Sequence, residues 1–150
     1  MIIVYTDGSA HPNPGPGGYG VVATENGNII HAYSKQIDYT TNNREEIKAI
    51  LYSLIHYGKT KDITTVYSDS SYCVNIFTNW MFGWQRNGWI KSDGKTPENI
   101  ELIQAFYELY QKGYRINLQK IKGHAGNYYN ELADGLATGR ITETEILNGK

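Results

Sequence analysis

Two aspartates close short apolar runs: Asp7 ends "MIIVYTD" and Asp69 ends "DITTVYSD". Such runs, rich in β-branched and aromatic residues, read as strands. The strand ends of an open α/β sheet are where sites form. If the two strands are neighbours, the two carboxylates come together. Near a dielectric boundary they repel, and they persist when a cation or a proton sits between them. Hard divalent cations take oxygen ligands, and Mg²⁺ usually takes a few carboxylates together with a substrate phosphate. Each residue alone has a plainer reading. Asp7-Gly8 is a common turn pair, and Asp69 suits the cap of a following helix. Glu46 suits the dipole at the start of its own helix. Asp134 reads as an ordinary helix charge, and His124 in "KGHAGN" as a solvated loop histidine. The chemical argument rests on their combination.

The elements that must position these groups follow from the pattern. Behind Asp7 comes the turn "GSAHPNPGPGGYG". Its glycines let backbone approach a ligand closely, and its prolines stiffen it; the plainer reading is a stiff hairpin connection. "GYGVVATENGNIIHAYSKQI" reads as two strands joined at Asn26-Gly27, a strong hairpin signal. The chain therefore opens with a three-stranded antiparallel meander. "TTNNREEIKAILYSLIHYG" reads as a helix, with Ile47, Ile50, Leu51 and Leu54 at helical spacing. Asn42 is the expected N-cap with Glu45 as its capping-box partner, and Gly58 is the expected stop. "SYCVNIFTNWMFGW" reads as a short or broken helix, followed by the polar, basic loop "QRNGWIKSDGK". In "TPENIELIQAFYELYQKG" Thr96 is the expected cap, Pro97 fits the first turn, and Gly113 stops the helix. Its stripe is Ile100, Ile103, Phe106, Leu109 and Tyr110. "YRINLQKIKG" alternates as a fifth strand, and "NELADGLATGRI" begins a last helix that runs on or frays toward Lys150. The order βββαβααβα makes an α/β class with a mixed sheet, read as a single domain over residues 1–150.

Composition narrows the partners. The 150 residues carry a formal net charge of -1, which excludes nucleic-acid binding by bulk electrostatics alone. A local patch survives at about residues 80–96, where Arg86, Lys91 and Lys95 face only Asp93. A single cysteine, Cys73, excludes an internal disulfide framework and suits a reducing compartment. No run approaches the ~20 apolar residues of a membrane span. A soluble, cytoplasmic chain is expected, with no membrane partner and nothing that demands more than a monomer. A thiol hydrolase built on Cys73 is disfavoured, because a free cysteine on a short helix is usually core.

Taken together, the motifs resemble the type 1 ribonuclease H family. "YTDGSAHPNPGPGGYG" is similar to its first-strand motif, "TTNNREEIKAI" to its first-helix motif and "YSDSSYC" to its third acidic motif. "IKGHAGNYYNELADGLA" resembles its histidine loop and final acidic helix, and "NWMFGWQRNGWIKSDGK" its handle, or basic protrusion. The resemblance implies a ribonuclease H-like fold, with a five-stranded mixed sheet flanked by helices. It implies an endonuclease that hydrolyses the RNA strand of an RNA–DNA hybrid, leaving 5′-phosphate and 3′-hydroxyl ends. The family's four carboxylates map onto Asp7, Glu46, Asp69 and Asp134. They hold two Mg²⁺ ions, or Mn²⁺, about 4 Å apart, so that one activates water and the other bears the leaving oxygen. His124 is implied in proton transfer or product release. Asn13, Asn42, Asn43 and Ser71 fall where the family reads 2′-hydroxyls. Tyr72, Trp80 and Trp84 fall on its DNA channel, and Thr41 and Asn99 at its phosphate pocket. Arg86, Lys91 and Lys95 fall where handle residues meet backbone phosphates without reading sequence. The chain departs from many relatives in having Tyr39 for an arginine of the phosphate pocket, Gln85 and Ile90 in the handle, and Ser71 for a glutamine. Two other readings compete: a resolvase- or transposase-like nuclease of the same fold, and a non-catalytic hybrid-binding module. The intact "KGHAGN" loop and handle weigh against the first, and the complete set of carboxylates against the second.

Overall fold

The first strand, β1 (Ile2–Ala10), buries Val4 on one face and Tyr5 on the other. A strand buried on both faces belongs at the centre of a sheet. In the computed structural model, which describes residues 1–121 and 127–149, β1 holds that place. β2 (Gly15–Glu25) and β3 (Asn28–Thr40) complete the antiparallel meander. Asn26 and Gly27 between them both have positive φ, 52° and 83°, as a tight hairpin turn requires. β4 (Thr64–Ser68) and β5 (Ile116–Lys120) add in parallel on the other side, giving the order β3-β2-β1-β4-β5.

Helices cover both faces. On one, α1 (Asn42–Tyr57), α2 (Ser71–Asn75), α3 (Met81–Arg86) and α4 (Ile100–Gln111) pack Ile47, Ile50, Leu54, Ile76 and Ile103 against Val4, Val21 and Val66. On the other, α5 (Tyr128–Thr138) and α6 (Glu143–Asn148) pack Ala133, Leu136 and Ile146 against Tyr5, Val22 and Ala32. None of the described helices is long and apolar enough to cross a membrane.

The expected boundaries shift at four places. Thr41, not Asn42, caps α1, its hydroxyl accepting from the Arg44 N–H at 3.2 Å. Asn42 instead reaches back to β1, where its Oδ1 accepts from the Ala10 N–H at 2.6 Å. Glu45 closes no capping box. It is buried, takes the Thr40 hydroxyl at 2.6 Å and pairs with Lys48 at 2.9 Å. α4 starts at Ile100 rather than at Thr96, because Asn99 sits in the left-handed region at φ 59°. The interruption in the handle helix is a π-helical turn, Ile76–Trp80, joining α2 to α3. The last helix is two: Gly139, at φ 76°, ends α5, and a capping box of Thr142 and Glu145 opens α6.

α5 lies directly on β2 at Gly20. A Cβ there would come 2.5 Å from the Ala133 carbonyl oxygen and 2.5 Å from the Leu136 Cβ. Gly20→Ala therefore has to push α5 off the sheet. The expected cost is about 1–3 kcal/mol of stability, checked by denaturant unfolding with the slope unchanged.

Candidate active site

Strand register brings the first two carboxylates together. β1 and β4 pair in parallel with Val4 opposite Val66 and Tyr5 opposite Tyr67. The same offset two residues further on sets Asp7 against Asp69, just past the end of β4. The Thr6 hydroxyl donates to the Tyr67 carbonyl at 2.8 Å and fixes the two strand ends together. Asp69 does not cap the following helix, since Ser70 does so through its hydroxyl and the Cys73 N–H at 3.1 Å.

Glu46 arrives from α1, and Gly8 is what lets it arrive. Any Cβ at Gly8 would collide with the backbone of Glu45 and Glu46. The residue after Asp7 thus gives its side-chain space to the first turns of α1. Glu46 is buried and accepts from the Ser68 hydroxyl at 3.3 Å, while Asp7 accepts from the Gly8 N–H at 2.9 Å. One carboxylate oxygen from each of Asp7, Glu46 and Asp69 lies within 4.8 Å of the others. Three oxygens so placed, two of them on buried residues, suit a hard cation.

The fourth carboxylate comes from α5. Asp134 is half-buried, lies 3.4 Å from the Arg140 guanidinium and adds to the rise of the Asp7 pKa, but it does not join the group of three whose oxygens lie within 4.8 Å of one another. Two β3 side chains hold the C-terminus of α5. The Ser34 hydroxyl donates to the Leu136 carbonyl at 2.8 Å. The Gln36 amide donates to the Leu136 and Ala137 carbonyls at 3.0 and 3.1 Å. The last carbonyls of a helix lack i+4 partners; the Gly139 N–H reaches the Leu136 carbonyl at 3.3 Å, and β3 supplies the further donors.

Burial raises the Asp7 pKa to about 7, with the Asp69 and Asp134 charges adding to the rise and a hydrogen bond with Glu46 opposing it. Glu46 is pushed well above the carboxylate range, first by burial and then by Asp7. Without a cation the pair retains a proton near neutral pH. By contrast, burial pushes the Cys73 thiol up to about 12, so it is no nucleophile near pH 7.

A sequence profile of the RNase H family matches residues 1–142. The chain belongs to the RNase H family. A ribonuclease H from Caldanaerobacter subterraneus is 42% identical over 142 residues, covering 94% of this chain and 91% of the relative. The ribonuclease HI of Haemophilus influenzae is 42% identical over 137 residues, with 91% and 87% covered. Among solved structures, LC11-RNase H1 in complex with an RNA/DNA hybrid superposes with a TM-score of 0.69 at 29% identity, covering 98% of this chain and 99% of that one.

The remaining predicted site residues of this RNase H-family chain fall into two groups. The first surrounds the start of α1. Asn13 accepts from the Asn42 N–H at 3.0 Å, joining the glycine- and proline-rich turn to the helix. Thr41 is the cap, Asn43 is exposed beside it, and Asn99 accepts from Arg44 at 3.1 Å. Arg44 is the residue that the sequence reading missed. Its charge lies in the first turn of α1, where the helix dipole opposes a cation. Asn99 and Glu101 of α4 hold it there, the latter at 3.0 Å, which lowers the Glu101 pKa. That misplaced charge was the available signal.

The second group is aromatic. Tyr72 and Trp80 meet at 5.6 Å between ring centres, and Trp80 and Trp84 at 6.1 Å. With Lys91, Ser92 and Asp93 they line an open groove of about 310 Å³. Arg86 lines an adjoining groove of about 330 Å³, which shares Trp80 and Trp84. Lys95 is exposed on the same loop, and its N–H donates to Asp93 at 2.9 Å. Ser71 is exposed at the start of α2, two residues past Asp69. Trp89, at φ 65°, packs edge-on against Tyr107 at 5.6 Å and serves the handle's own packing. His124 falls on residues 122–126, outside the described residues.

The raised acidities fix the sign of a pH effect. Asp7 and Glu46 bind protons more tightly folded than unfolded. Cation-free stability therefore falls as pH rises from the ordinary carboxyl range through about 7. Asp7→Asn removes one of the opposed charges. In EDTA at pH 8 it should raise the unfolding midpoint by about 3 °C or more, at about 1.4 kcal/mol per pKa unit. The gain should vanish near pH 3.5, as read by thermal melts at both pH values.

Proposed function

We propose that this chain is an endonuclease that hydrolyses the RNA strand of RNA–DNA hybrids and leaves 5′-phosphate and 3′-hydroxyl ends. The observation that carries this reading is the convergence of Asp7, Glu46 and Asp69, from three separate elements, into one cluster, with burial raising the proton affinity of Asp7 and Glu46. With Asp134 they are the residues that would hold divalent cations, Mg²⁺ or Mn²⁺. The donor set fits: oxygen ligands only, with a charge repulsion that a cation relieves. Bound there, two such ions supply the charge that activates an attacking water and stabilises the departing 3′ oxygen.

The chain's own residues choose and hold the substrate. Asn13, Asn42, Asn43 and Ser71 stand beside the carboxylates as small polar groups that meet ribose 2′-hydroxyls, the feature that separates RNA from DNA. Tyr72, Trp80 and Trp84 offer apolar faces to the DNA strand. Thr41 and Asn99 hold a phosphate, with Arg44 adding charge that the absent arginine at Tyr39 would otherwise supply. Arg86, Lys91 and Lys95 contact further phosphates without reading sequence. His124, on the sequence alone, moves a proton or aids product release near its ordinary pKa of about 6.5.

The deciding assay presents labelled RNA–DNA, RNA–RNA and DNA–DNA duplexes to the protein with Mg²⁺ and with EDTA. Cutting of only the RNA strand of the hybrid, and only with metal, is expected. Tight hybrid binding without cleavage under any metal would establish a binding module instead. Asp7→Asn should lower the cleavage rate by about 10²–10³-fold or more while the circular dichroism spectrum is kept. His124→Ala should slow turnover and leave activity measurable. Hybrid affinity should be weaker than that of a relative with a strongly basic handle and, with fewer phosphates neutralised, should fall less steeply with salt, as measured by anisotropy across a salt series.

A further inference from the structure

One cavity adjoins the carboxylates and has no part in the chemistry described so far. Its volume is about 360 Å³, and its polar lining is Ser9, His11, Gln36, Asp38 and Thr138. None of those carboxylates lines it, but the fold places it one step from them along two elements. Ser9 is two residues beyond Asp7 and so shares its face of β1, and Thr138 is four beyond Asp134, one turn along α5. Across the sheet, Ser9 pairs with Gly18 and Gly18 with Gln36, whose side chain lies over Gly18 and forms part of the cavity wall. Both steps measure about 6–7 Å, or about two nucleotide steps at ~3.4 Å of rise per strand. The start of α1 meets β1 from the opposite face, at Ala10. The cavity is therefore distinct from the cluster around Asn13 and Asn42.

The lining excludes a phosphate and suits a hydroxyl. No lysine or arginine lines it. The C-terminal end of α5, which carries partial negative charge, and the Asp38 carboxylate both repel anions. Ser9, His11 and Asp38 make no side-chain hydrogen bond or ion pair with any described residue, whereas Gln36 is committed to the α5 carbonyls. Acceptors and hydroxyls without partners, in a space with no cation, recognise a group that donates hydrogen bonds and carries no charge.

We propose that this cavity is a second ribose subsite for the cleaved strand. There a 2′-hydroxyl about two nucleotides from the cut donates to Asp38 and bonds with Ser9, on the α5 side of the carboxylates. The proposal rests on the hybrid-cleaving function above. The probe is a short hybrid with one dominant cut site, made in a series in which a single RNA nucleotide at a time is 2′-deoxy. For the unaltered protein, KM should rise by about five- to tenfold when the deoxy position enters the cavity, with a smaller effect on kcat. In Ser9→Ala and Asp38→Ala proteins that same substitution should cost nothing further, while penalties at the other positions persist. Identical position profiles in the unaltered and variant proteins overturn the subsite. So does a lower KM for Asp38→Ala on the unmodified hybrid with the deoxy penalty retained, the result if a phosphate lies there. If the unmodified hybrid is neither bound nor cut, the proposed function itself fails, and the subsite falls with it.

Discussion

The structure is organised around a repulsion. Carboxylates from β1, the end of β4 and α1 are held within reach of one another at the edge of the core, and a further one on α5 adds its charge. Their proton affinities record the cost: Asp7 rises to about 7, and Glu46 rises with it. The frame around them is built to resist their separation. The parallel register of β1 and β4 sets Asp7 against Asp69, and the Thr6 hydroxyl ties the strands at that point. Gly8 admits α1 and Gly20 admits α5, each by having no side chain where a backbone must pass. Such strain at a site persists when the surrounding fold over-determines it.

Much of this was legible before any coordinates. Apolar runs that stop at aspartates identify strands whose ends carry chemistry, and Asn26-Gly27 announces the hairpin. The helical stripe of Ile47, Ile50 and Leu54 is the buried face of α1. Where local rules failed, a partner other than the capping one had outbid it, distant for Asn42 and near for Glu45. Asn42 fits a capping box with Glu45 on spacing alone, yet the Ala10 N–H takes Asn42 and the pair of Thr40 and Lys48 takes Glu45. The start of α4 failed similarly. Thr96 and Pro97 are good opening residues, but Asn99 turns left-handed and holds Arg44 instead. Gln36 had no signal at all, since its partners are carbonyls about a hundred residues away. No periodicity encodes that.

The two sides of the carboxylate cluster carry different chemistry. On one side the start of α1 gathers amides, a hydroxyl and Arg44 into a hydrogen-bonded chain that runs from the β1–β2 turn to α4. On the other, the π-helical turn joins α2 to α3 and leaves Trp80 and Trp84 on a common wall with Tyr72. A π turn in a helix re-aims the side chains that follow it, and such turns recur at functional sites. The weak positive charge of the handle is consistent with this division. With so few lysines, the aromatic wall and the amide chain must supply contacts that a more basic protein draws from electrostatics.

α1 has one more property, which follows from its rigidity. Asn42 touches the turn at its first residue, and Glu46 reaches the carboxylate cluster four residues later, about 6 Å along the axis. A helix this short moves as one body. A displacement that reseats Asn42 also reseats Glu46 among the clustered carboxylates. For any two ligands held at those two places, occupancy would be thermodynamically linked and the linkage reciprocal: whatever factor the first contributes to the grip on the second, the second returns. In this chain the helix that meets the β1–β2 turn and the helix that brings Glu46 to the carboxylate cluster are the same sixteen residues, so neither end shifts alone.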